Sequence, residues 1–148
     1  MAGYLVVAHQ TGISPELVQE VRPLVKADSS CELTILVPAT PANYLQDESG
    51  LTATEIAAKR AEESRIMLEA VGAKVTRKSV GDPDPLKAIE DELNQRNDPY
   101  TGLIICTLPE GISRWLKRDL PNQAKRKFSL PVTHVVARDR GLPLHDIE

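Results

Sequence analysis

Five short strand-like runs, the first four each followed by a stretch with helical spacing, leave this chain few folds to choose from. The runs are YLVVA (4–8), ELTILV (32–37), AKVTRKSV (73–80), GLIICTL (102–108) and LPVTHVVA (130–137). Helices between short strands act as crossovers, so the order βαβαβαβαβ implies a parallel sheet with helices on both faces. The expected class is therefore α/β: three layers around an open five-stranded sheet. AKVTRKSV alternates, with one wet face, and is placed at a sheet edge. GLIICTL is the most apolar run and is placed in the interior.

The helix signals are local. Ser14 then Pro15 opens the first helix, with Leu17, Val18, Val21 and Leu24 on one face, and Pro23 is expected to kink or shorten its end. Thr52 and Glu55 fit a capping box, followed by the stripe Ala53, Ile56, Ala57, Ala61, Met67, Leu68 and Val71, with Ser64 inside it and Gly72 ending it. Asp84 caps the third helix and Pro85 opens it, with Leu86, Ile89 and Leu93 facing the core. The last helix is begun at Asp119, with Leu120, Ala124 and Phe128 stacked, and its start can be capped by the Asp119 carboxylate. Residues 1–138 read as one domain and 139–148 as an irregular tail.

The rest of the composition narrows function. With 148 residues the chain can build one sizeable core, which must be aliphatic, since it holds one Trp, one Phe and three Tyr. A net charge of −3 gives no overall field for nucleic acid or an anionic membrane. No apolar stretch is long enough to span a bilayer, and no secretory signal is read. Cys31 and Cys106 have no zinc or redox spacing, so they read as buried reduced thiols of a cytoplasmic protein. No histidine pair has metal-site spacing, and no metal site is expected.

In an open parallel sheet, ligands bind at the carboxyl ends of the strands, where the winding reverses. The rim here is Ala8, His9, Gln10, Thr11 and Gly12 after the first strand, Pro38 and Ala39 after the second, Gly81 to Asp84 after the third, and Thr107 to Arg114 after the fourth. His9 suits ligand contact or proton transfer, or is simply solvated. Ser113 touches a ligand phosphate or caps its own turn. Trp115 stacks on a base or partner, or packs beneath the loop. Arg114, Lys117, Arg118, Lys125, Arg126 and Lys127 form an anion patch or a solvated helix face.

Three segments carry a resemblance. VGDPDPLKAI (80–89), GISRWL (111–116) and LPVTHVV (130–136), in this order on this topology, resemble the universal stress proteins. The resemblance implies a Rossmann-like sheet of order 3-2-1-4-5. It implies a homodimer through the last strand, Pro131, Val132, Thr133, His134, Val135 and Val136. It also implies adenine nucleotide (ATP or AMP) held by a G-x2-G-x9-G-[ST] loop, with an Asp after strand one. This chain departs at those positions. An ungapped match anchored on Gly111, Ile112, Ser113 and Arg114 sets Ile105 and Leu108 at the first two glycines. Arg118 and Asp119 fall on the final pair, and His9 replaces the acid. Side chains of Arg114, Lys117 and Arg118 remain available to an anion in another geometry.

The expected function is a regulatory small-ligand module with a degenerate nucleotide site. No nucleophile, base or metal set is assignable, which argues against an enzyme. The alternative is a flavodoxin-like FMN carrier, since TGIS (11–14) resembles part of a flavodoxin phosphate loop, although this chain lacks the aromatic residues that sandwich a flavin. A phospho-receiver is excluded, because the strand ends lack its acids.

Overall fold

The computed structural model describes residues 3–8, 15–39, 52–95, 99–107, 115 and 119–137. The strands are β1 (Gly3–Ala8), β2 (Glu32–Pro38), β3 (Lys74–Gly81), β4 (Gly102–Thr107) and β5 (Val132–Val136), and the helices are α1 (Pro15–Ala27), α2 (Ala53–Glu69), α3 (Pro85–Asn94) and α4 (Leu120–Phe128). All strand pairs are parallel, in the order β3-β2-β1-β4-β5. This is the expected Rossmann-like α/β fold.

Successive side chains of a strand point to opposite faces, and the core divides accordingly. Val6, Leu33, Ile35, Val37, Ile104, Cys106 and Val135 meet Leu17 and Val21 of α1 and Ala57, Ala61 and Leu68 of α2. Leu5, Val7, Leu36, Leu103 and Ile105 meet Ala88 and Ile89 of α3 and Leu120 and Ala124 of α4. Both cysteines are buried and neither is in a disulfide.

The helix starts follow their local chemistry. Thr52 Oγ1 accepts from the Glu55 N–H at 3.1 Å, and Glu55 Oε1 accepts from the Thr52 N–H at 3.0 Å, closing the capping box. Asp84 Oδ1 accepts from the Leu86 N–H at 3.1 Å, with Pro85 opening α3. Pro23 does not end α1, which runs four residues further to Ala27. Pro23 is exposed, so the carbonyl left without its N–H partner faces water. The last strand is shorter than expected: Leu130 and Pro131 lie outside it, although the Pro131 carbonyl still accepts from the Leu103 N–H at 2.9 Å.

The edge strand β3 departs from simple alternation. Leu33 pairs with Val75, but Thr34 pairs with Arg77, so Thr76 is an extra residue. Val75 therefore faces the α1/α2 layer and Arg77 the α3 layer. Lys78, opposite Ile35, returns to the first layer and pairs with Glu62 of α2. Hydrogen bonds from Arg65 and from Lys78 pull the Glu62 carboxyl down to about 2.

α4 is closed by Ser129, which sits in the left-handed region (φ 55°, ψ 35°) with its N–H donating to the Lys125 carbonyl at 3.2 Å. Left-handed backbone costs a residue with a Cβ about 1 kcal/mol, which glycine escapes. Ser129→Gly is therefore expected to raise the thermal midpoint by about 3 °C for a domain of this size. A thermal melt followed by circular dichroism checks this; an unchanged or lower midpoint would mean the serine side chain compensates.

Candidate functional site

The carboxyl ends of four strands form one rim, at Ala8, Pro38, Gly81 and Thr107. Register places Pro38 opposite Gly81, Ala8 opposite Cys106, and Thr107 opposite Val136. The winding reverses between β1 and β4, so Ala8 and Thr107 flank the switch point where a crevice forms. His9, Gln10, Thr11, Gly111, Ile112, Ser113, Arg114 and Arg118 lie outside the described residues. The flavodoxin-like stretch 11–14 does so too.

Gly81 is explained by packing. A Cβ there would stand 2.7 Å from Ala88 Cβ and 2.9 Å from Leu36 Cδ1. Glycine lets α3 close onto the sheet directly behind the rim. Thr107 is fully buried. Its carbonyl accepts from the Ala137 N–H at 2.7 Å, and its Oγ1 lies 2.8 Å from Nε2 of His134. His134 is exposed as a whole residue, yet its ring is enclosed enough at that bond for burial to push its pKa below the ordinary histidine value. The neutral imidazole is thus favoured.

Asp119 corrects an expectation. It precedes α4, but its side chain makes no cap bond. A capping residue normally has extended backbone, whereas Asp119 is left-handed (φ 56°, ψ 43°). Its Oδ1 instead accepts from Asn122 Nδ2 at 2.9 Å. Pro121, the second helical residue, has no N–H to offer a cap or an anion. The start of α4 is therefore a poor anion cradle for a reason other than the one expected.

Two further residues of that region are core residues. Trp115 is 3% exposed and packs in the α3/α4 layer with Leu103, Ile105 and Leu120, so its indole is committed to the interior. Ile105, set by the ungapped match at a loop glycine, lies inside β4 and is fully buried. That glycine position thus falls within the sheet.

Two polar arrangements escape sequence reading. Arg77 Nε donates to Glu92 Oε2 at 2.7 Å, and another of its nitrogens donates to Gln95 Oε1 at 2.8 Å. Glu92 is 2% exposed. The only sequence signal was an acid in the buried stripe Pro85, Ala88, Ile89 and Glu92. Tyr100 donates its hydroxyl to Thr34 Oγ1 at 3.0 Å, and both are buried.

No family model matches the sequence, and neither does any curated protein. Among solved structures, a universal stress protein from Archaeoglobus fulgidus is similar, with a TM-score of 0.57 and 14% identity, covering 91% of this chain and 95% of that one. The likeness is one of fold and spans nearly the whole of both chains. Among the described residues, no helix is long and apolar enough to cross a membrane.

Proposed function

We propose that this chain is a universal stress protein-like binding module of the cytoplasm, regulatory rather than catalytic. In this reading it is a homodimer through β5, and its crevice is an altered adenine-nucleotide site. The observation that carries the reading is the fold. The strand order β3-β2-β1-β4-β5 is matched over 91% of the chain by a universal stress protein, and the three resembling segments fall at the end of β3, after β4 and on β5.

The altered crevice follows from the rim. A phosphate loop gains its grip from consecutive N–H groups and glycine backbone that can approach the anion closely. Here the segment after β4 holds one glycine, Gly111. Pro121 removes a donor, and the Asp119 carboxylate adds a negative charge beside the helix start. Weak nucleotide binding, or a different small anion held by Arg114 and Arg118, fits this better than a tightly bound triphosphate.

Calorimetric and thermal-shift titrations with ATP and magnesium, ADP, AMP and flavin mononucleotide test the reading. A ligand at about a hundredfold its Kd stabilises by about 2.7 kcal/mol. ATP at millimolar concentration is expected to shift the wild type by no more than about 2 °C. Asp119→Ser is expected to bind ATP on the order of tenfold more tightly, because one like charge is removed while Arg118 stays. Micromolar ATP binding by the wild type would refute the altered crevice, and stoichiometric flavin uptake would replace the reading with the electron carrier.

A further inference from the structure

The two edges of the sheet are defended differently. β3 carries three permanent cations, Lys74, Arg77 and Lys78, paired with Glu32, Glu92 and Glu62. Charged side chains of this kind discourage another strand from adding to an open edge. β5 reads Val-Thr-His-Val-Val and holds no permanent charge. Val136, at its end, is one of two large apolar side chains that are exposed among the described residues. The one group in β5 that can acquire a charge is His134, its central residue.

We propose that His134 is a proton-operated gate on self-association through β5. This rests on the dimer reading above. When identical five-residue strands pair antiparallel in full overlap, residue 132 faces 136 and the central residue faces its own copy. Directly opposed side chains in such a pair lie about 5 Å apart, and like charges there are destabilising. Neutral imidazoles are compatible with that contact, and two imidazolium rings are not. Protonation thus installs on β5 the kind of charge that β3 carries at all times.

The surroundings leave control to this one group. β5 packs against β4, α4 and α1. β4 offers only Cys106, which lies in the opposite layer. α4 offers the exposed Lys125, Arg126 and Lys127, with Asp119 ahead of it, and α1 offers Glu16, Glu20, Arg22 and Lys26. Burial lowers the His134 pKa. Because the folded-state value is depressed, the neutral form is favoured above the ordinary histidine pKa. The stability this confers is lost as pH falls below that pKa, so acid opposes enclosure of the ring and pairing of the strand together.

The test is sedimentation equilibrium of the full chain at pH 8.0, 7.0, 6.0 and 5.5, for the wild type and His134→Gln. The glutamine retains a hydrogen-bonding group for Thr107 but cannot titrate. The wild-type dimer is expected to dissociate on the order of tenfold more readily at pH 5.5 than at pH 8.0, and His134→Gln to dimerise equally at every pH. Circular dichroism on the same samples separates dissociation from unfolding. A wild-type dimer indifferent to pH overturns the gate while leaving the dimer reading intact, as does His134→Gln retaining the pH dependence. A monomer at every pH overturns both.

Discussion

Arg77→Ala is expected to destabilise the protein by about 2 to 3 kcal/mol at neutral pH. The residue sits at the sheet edge with its side chain 48% exposed, where most substitutions are mild, but the side chain of its partner Glu92 is only 3% exposed. Truncating one member of a buried ion pair strands the other without water or counter-charge, at a typical cost of 3 to 5 kcal/mol. The half-exposed guanidinium reduces that figure, because water can follow into the space it leaves. Gln95 loses its partner as well. Urea denaturation at pH 7 measures the effect. Adding Glu92→Gln to Arg77→Ala is expected to recover at least about 1 kcal/mol, because a neutral amide costs less to bury than an unpaired carboxylate. If Arg77→Ala costs less than about 0.5 kcal/mol, the ion pair contributes nothing that water does not replace.

Gly81→Ala is expected to cost about 2 kcal/mol, within the range for overpacking a well-filled interior. The added methyl would meet Ala88 Cβ at 2.7 Å and Leu36 Cδ1 at 2.9 Å. Leu36 can rotate, but Ala88 cannot, so α3 would have to move off the sheet. Ala88→Gly alone carries the cost of about 1 kcal/mol for a helical glycine. Combined with Gly81→Ala it is expected to do better than the sum of the two, by at least about 1 kcal/mol in a double-mutant cycle. Additive costs would mean the clash is relieved elsewhere. The same variants separate the two readings of this glycine. If Gly81→Ala lowers stability without changing the affinity of any bound nucleotide, Gly81 serves packing and not the ligand.

Most of the frame was written in local signals. Thr52 with Glu55, and Asp84 with Pro85, each satisfy backbone groups within three residues, so their chemistry needs no tertiary context. The polar face of AKVTRKSV placed β3 at an edge because a central strand has no wet side. Pro23 does not shorten α1 because its penalty depends on whether the broken bond faces water, and burial is a tertiary property. Asp119 misled because residue type identifies a capping candidate, whereas backbone conformation decides whether it caps. The ion pair of Arg77 with Glu92 and the bond of Thr107 with His134 join separate elements, and no spacing along the chain announces either. Of the candidate site, the strand ends were legible from topology. Trp115 could be placed in the core only once its surroundings were known.

The irregularity at Thr76 reaches beyond its immediate neighbours. Val75 and Val80, an odd number of positions apart, both pack against the same layer, which an unbroken strand could not arrange. The strand changes parity partway along, and the adjacent cations Arg77 and Lys78 are dealt to helices on opposite sides of the molecule. Deleting Thr76 would make the strand regular, yet Val75 would stay opposite Leu33 and Arg77 opposite Thr34, each on the face it occupies now.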